Sequence, residues 1–69
     1  MSDEPEYFPE TVKEVRRQLT LSQENLAQAL GVSFATVNRW ENGRTVPSKL
    51  AKRQFELFCA QKRKQGELL

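Results

Sequence analysis

Two apolar patterns, each fitting one face of a short helix, dominate the middle of the chain: Leu26-Ala27-Leu30 and Val37-Trp40. They are joined by the link Leu30-Gly31-Val32-Ser33. Each helix has room for about eight residues, below the roughly 12–15 at which an isolated helix becomes even marginal in water. Neither persists unless it packs on the other and on the neighbouring segments. The link is too short for a hairpin of long antiparallel helices and suits two short helices crossing steeply. The whole chain has 69 residues, enough for one domain. A domain of that size buries only about 60% of the surface its unfolded chain exposes, so the core is small and there is little room for a deep cleft.

Around this pair the chain reads as all-α. Residues 1–7 are polar, contain Pro5 and read as a flexible acidic leader. Phe8-Pro9 is a helix entry, because proline lacks an N–H that the first turn could not pair anyway. Phe8 is placed to pack on Val12 as a hydrophobic staple, and Val12, Val15 and Leu19 follow at helical spacing. That helix runs into "LTLS" with no glycine at its end. Ser22 caps the second helix and Gly31 ends it, supplying a left-handed turn. Ser33 caps the third, with Val32 just before the cap, and Asn42-Gly43 breaks it. After the short "RTVP" loop, Ser48 caps a fourth helix with a broad apolar stripe of Leu50, Ala51, Phe55, Leu57 and Phe58. Cys59 is a small hydrophobe at the edge of that helix. "QKRKQGELL" reads as a fraying end. The expectation is a compact four-helix domain over residues 8–61, with at most one further short turn and a basic flexible tail at 62–69.

Composition narrows the function. There is no histidine and one cysteine. A Cys/His zinc site and an internal disulfide are both out of reach, and the commonest general base is missing. Nothing arranges the carboxylates or lysines for catalysis, so an independent enzyme is not expected, nor is any cofactor or small-molecule ligand. No apolar run approaches the roughly 20 residues that span a bilayer. The acidic N-terminus is the reverse of a secretory or mitochondrial leader, which points to the cytoplasm, and to the nucleoid if the source is bacterial. The net charge of +2 hides a split. Residues 1–14 hold Asp3, Glu4, Glu6, Glu10 and Glu14 against Lys13, a net of −4. Residues 15–66 hold ten Lys/Arg against Glu24, Glu41 and Glu56, a net of +7. A basic body attracts phosphate polyanions, although a merely solvated basic surface has the same composition.

"LSQENLAQALGVSFATVNRWENG" resembles the Cro/C1-type (XRE-like) helix-turn-helix of phage-repressor proteins. The shared signature is Gln23 at the start of the second helix, Leu26-Ala27, Leu30-Gly31-Val32, Val37, Trp40-Glu41 and Asn42-Gly43. The resemblance covers about residues 10–58. It implies that the third helix lies in the major groove of double-stranded DNA while the second crosses the backbone. With Val37 and Trp40 inward, Phe34, Ala35, Asn38 and Arg39 face out as candidate base readers. Phe34 suits the C5-methyl of a thymine and Arg39 a guanine edge. Ala35 reads a methyl or simply lets the backbone approach, and Asn38 suits adenine or is plain surface polarity. Phe34 packed on the second helix, and Arg39 on a phosphate, remain the competing readings. By the same resemblance, Gln23 holds a phosphate, and Ser33, Thr36 and Asn42 touch the backbone or groove edge. Arg44 and Lys49 meet the second strand, and Arg16 pairs with Glu41.

Many members of that family carry a fifth helix that builds a dimer interface, and here the chain ends soon after the fourth. A monomer and a homodimer on DNA both stand open. Three functions fit: a transcriptional regulator, the DNA-targeting module of a larger DNA-modifying enzyme, and an adaptor or antitoxin that turns the same surface to a protein.

Overall fold

A computed structural model describes residues 7–69 and shows four helices: α1 (Phe8–Leu19), α2 (Gln23–Leu30), α3 (Phe34–Glu41) and α4 (Lys49–Lys64). No strand occurs among the described residues, and the fold is the all-α one expected. Residues 1–6 of the expected acidic leader lie outside the described residues.

The helix starts follow from three serines. Ser22, Ser33 and Ser48 each sit in extended backbone and accept a hydrogen bond from the N–H three residues on: Asn25 at 2.9 Å, Thr36 at 3.1 Å and Ala51 at 3.1 Å. Each cap satisfies a donor that the first turn leaves without an intrahelical partner. The helix ends share one device. After α2, Gly31 takes a left-handed conformation (φ 75°), and Val32 N–H closes back on the Ala27 carbonyl at 3.0 Å. The same six-residue closure ends α3 through Gly43 and α4 through Gly66. After α1 it forms on Thr20, at φ 57°, with Leu21 N–H on the Arg16 carbonyl at 2.9 Å. The missing glycine therefore did not change the turn; a β-branched residue was forced into it.

Ten residues drawn from all four helices and the C-terminal segment form the core: Val12, Val15, Leu26, Ala27, Leu30, Val37, Trp40, Phe55, Cys59 and Leu68. Small Ala27 is buried on α2, which packs against α3, and α3 also packs on α1. Phe8 does more than a local staple would. Its ring meets Trp40 and Phe55 edge-on, both with centroids 5.4 Å away, and so ties α1 to α3 and α4.

Three expectations about the fourth helix need correcting. Leu50 and Leu57 do not join an inward stripe; they are exposed, Leu50 at 73%. The inward arc of α4 is filled by Ala51, Phe55, Phe58 and Cys59, and at 3.6 residues per turn Leu50 and Leu57 fall about 100° or more away from its centre. Cys59 is in the core rather than at its edge. The segment 62–69 is not a loose tail. The helix continues to Lys64, the Gly66 turn reverses the chain, and Leu68 fills a gap in the core. Leu69 N–H donates to Gln18 Oε1 on α1 at 2.9 Å, and Arg63 Nε donates to the Leu69 carbonyl at 3.0 Å.

Candidate nucleic-acid interface

The α3 helix presents two faces. Val37 and Trp40 point into the core. Phe34, Ala35 and Arg39 are exposed on the other side, Phe34 at 53%. Phe34 thus lies outside the buried core. Arg39 and Arg44 make no ion pair among the described residues. Their guanidinium groups are therefore available to an incoming anion or base edge. Lys49, at the first position of α4, is also exposed. Ser33 and Thr36 are joined as the N-terminal lock of α3: Thr36 N–H donates to Ser33 Oγ, and the two hydroxyls lie 2.9 Å apart.

Beneath the C-terminal half of α3 lies a connected polar chain. Arg16 grips Glu41 with two parallel bonds, Nε to Oε2 at 2.6 Å and Nη2 to Oε1 at 2.9 Å. Its Nη1 donates to the Leu21 carbonyl at 3.0 Å, so one side chain of α1 holds both the end of α3 and the turn before α2. Glu41 is 5% exposed. Burial works against its charge. The hydrogen bonds from Arg16 and Gln23, with the nearby positive charge of Arg16 and Lys13, outweigh that and hold the carboxyl below its ordinary value of 4.5. The bond to Glu41 likewise raises the Arg16 guanidinium above its ordinary value, against a smaller effect of burial. The expected Arg16–Glu41 pair is present, and its fork geometry is the strong form of such a contact.

The chain then continues through amides. Gln23 Nε2 donates to Glu41 Oε1 at 2.9 Å. Asn38 Nδ2 donates to Gln23 Oε1 at 3.1 Å. Asn42 Nδ2 donates to Asn38 Oδ1 at 3.0 Å. Gln23, Asn38 and Asn42, named from the sequence as separate DNA contacts, are thus brought into one network with Arg16 and Glu41. The Leu21 carbonyl was not foreseen, since a backbone acceptor leaves no signature in side-chain identity. The Asn38–Asn42 bond has the i,i+4 spacing at which helix side chains meet; the Gln23–Asn38 bond has no local signal at all.

A helix-turn-helix family model matches residues 12–51, which contain α2, α3 and the whole polar chain. The chain belongs to the helix-turn-helix family of the Cro/C1 type. Such a helix-turn-helix domain is a DNA-binding fold without catalytic machinery of its own. Over 42 residues the chain is 48% identical to the Type II methyltransferase M1.ScrFI of Lactococcus lactis subsp. cremoris. That match takes in 56% of this chain and 11% of the methyltransferase. The helix-turn-helix chain therefore corresponds to about a tenth of that relative's length. No solved structure matches. Among the described residues of the helix-turn-helix chain, no helix is long and apolar enough to cross a membrane, and no group of His, Cys, Asp and Glu is placed to hold a metal ion.

Proposed function

We propose that this helix-turn-helix domain binds double-stranded DNA sequence-specifically, with α3 in the major groove, and acts as a transcriptional regulator in the cytoplasm. The observation that carries the reading is the two-sided α3: an exposed Phe34-Ala35-Arg39 surface on a helix clamped from below by Arg16 and Glu41. A major groove about 12 Å wide accepts such a helix. Phe34 and Ala35 meet thymine methyls and Arg39 takes a guanine edge. Gln23, Ser33, Thr36, Asn42, Arg44 and Lys49 serve the backbone, which fixes position rather than sequence. The binding unit takes in all four helices, α4 to Lys64, and the packed Leu68.

A second reading is favoured by one observation, the 48% identity to a segment of a methyltransferase. In it the same DNA contact targets a larger DNA-modifying enzyme. Selection of bound duplexes from a random library tests what the two share. Enrichment of a defined motif supports sequence-specific binding, and a symmetric motif of two half-sites supports a homodimer. Retention of all duplexes equally would remove the specificity, and no retention at low salt would leave a protein-binding adaptor ahead. The native polypeptide then separates the readings: a band near 8.0 kDa whose site controls a reporter gene supports the regulator, and a much longer band supports the enzyme module.

A further inference from the structure

The direction of the amide chain is not arbitrary. The Glu41 carboxylate only accepts, so Gln23 must turn its Nε2 toward it. That leaves Gln23 Oε1 facing Asn38, which must answer with Nδ2. Asn38 Oδ1 then faces Asn42, which must answer with its own Nδ2. One charge, anchored by Arg16 on α1, sets the orientation of three amides up to the end of α3. None can flip alone without setting acceptor against acceptor or donor against donor.

We propose that Asn38 is a positioning residue that holds Gln23 ready for a backbone phosphate, and not a reader of bases. This rests on the DNA-binding reading of α3. Bidentate recognition of adenine uses both ends of an asparagine amide, and both ends of Asn38 are already engaged within the protein. Asn38 is also half-buried, whereas Phe34, Ala35 and Arg39 are exposed. Gln23 is likewise engaged at both ends and, like Asn38, keeps one amide hydrogen free; what sets it apart is its place. It stands at the first position of α2, where its backbone N–H and that of Glu24 have no carbonyl within the helix to bond. With its carbonyl held by Asn38 and one N–H held by Glu41, the remaining N–H has a fixed direction before DNA arrives. A phosphate contact through it then avoids much of the ordering of a free side chain. The carboxylate of Glu24 lies in the same turn and opposes the anion, which makes a well-directed amide more valuable there.

The test is a double-mutant cycle read on several duplexes, with the domain's folding checked by circular dichroism. Asn38→Ala should weaken binding to every duplex by about 2- to 10-fold, the worth of one neutral hydrogen bond. The preference between duplexes should stay as in the parent. In a Gln23→Ala background the same change should have little further effect, because the group it positions is gone. A lost preference at one adenine position, or an undiminished effect of Asn38→Ala without Gln23, would overturn the proposal. The free domain supplies a readout that needs no DNA. The side-chain amide resonances of Gln23 should shift and exchange faster with solvent in Asn38→Ala, and resonances unchanged from the parent would count against the lock. If the parent bound no duplex, the DNA reading would fall while this spectrum still reported on the lock. Should Asn38→Ala not fold, Asn42→Ala frees the Asn38 carbonyl and is read on the free domain alone, since Asn42 is itself proposed to touch the backbone: the side-chain amide resonances of Asn38 should shift, and unchanged ones would overturn the lock.

Discussion

The two halves of α3 are built on opposite terms. In the first turn Phe34 and Ala35 stand in solvent and their side chains need no hydrogen-bond partner. In the last turn Asn38, Glu41 and Asn42 are joined to each other through Gln23 and back to α1. An apolar side chain can wait in water for a methyl group without any arrangement beforehand. A carboxylate at 5% exposure cannot wait, because a buried charge without partners is costly. The same eight-residue helix thus carries an unconstrained surface at its start and a pre-ordered one at its end. What the polar half holds is orientation; what the apolar half offers, under the proposed docking, is a contact to be made.

The strongest way to break this contrast is to strand the buried charge. Arg16→Ala leaves the Glu41 carboxylate in place with only Gln23 bonded to it. Loss of one partner of a buried pair is expected to cost about 3–5 kcal/mol. Glu41→Ala should cost less, about 1.5–3 kcal/mol as for hydrogen bonds to a charged group. The group it strands, Arg16, is 25% exposed in its side chain and keeps the Leu21 carbonyl. Urea unfolding of both variants measures the order. A larger loss for Glu41→Ala would mean that the carboxylate is better hydrated than its burial indicates.

Acid tests the same end with no substitution. The folded-state Glu41 carboxyl lies below its ordinary 4.5, so its contribution is fully present above that value and is lost as pH falls through the lower, folded one. Unfolding at about pH 7, 5 and 3 should show stability falling mainly over the acid interval. In Glu41→Gln that fall should be shallower. Glu14 is also held down, to about 2, by its bonds from Arg17 and Gln18. It is a surface pair, screened by water, and Glu14→Gln should leave the acid limb nearly unchanged. An equal flattening by Glu14→Gln would mean that the clamp under α3 is not the acid-sensitive element.

How much of this contrast was legible beforehand follows from distance along the chain. The serine caps, the Gly31 turn and the inward Val37 and Trp40 are set by residues within one or two turns of each other, and periodicity and capping chemistry found them. The Arg16–Glu41 pair, 25 residues apart, came only through the family resemblance. The fate of Leu50, Leu57 and Leu68 was misjudged for one reason: hydrophobicity says that a side chain would gain from burial, not whether space remains for it. Ala51, Phe55, Phe58 and Cys59 had filled the arc, and a leucine beyond the Gly66 turn found the remaining gap. The type of Asn38 and its place on the helix suit a reader. Its partner Gln23 lies 15 residues away across the turn, where no pattern reaches.

At the free end of α3 the expected changes are in recognition. Phe34→Ala should leave fold stability within roughly ±0.5 kcal/mol, as for an exposed side chain without partners. Under the proposed docking it should reduce discrimination at one thymine-containing step by about 1–3 kcal/mol. Uracil in place of that thymine should reproduce part of the loss in the parent protein. A large stability loss with unchanged base preference would return Phe34 to the core. Arg44→Ala sharpens the comparison from outside the helix. It should weaken all duplexes about equally and flatten the salt dependence by about one unit of log–log slope. A change confined to one sequence would make Arg44 a reader as well.

The smallest expected effect lies in the turn that serves the locked end. Thr20 holds a left-handed conformation, φ 57° and ψ 45°, so that Leu21 can close on the Arg16 carbonyl and offer its own carbonyl to the Arg16 guanidinium. A residue with a β-carbon is strained there by about 1–2 kcal/mol, more so when β-branched. Glycine removes the strain and returns about 0.5–1 kcal/mol of it through the greater freedom of the unfolded chain. Thr20→Gly should therefore raise stability by about 0.5–1 kcal/mol. Because the turn keeps its shape, the Arg16–Glu41 fork should be untouched, and with it base preference and the acid response. The measurement is urea unfolding at about pH 7 and pH 3 beside binding to two duplexes. A gain in stability that also altered the acid limb would show that the strained turn and the clamp are adjusted to each other. A loss of stability would show that the threonine contributes more to the turn than its strain removes.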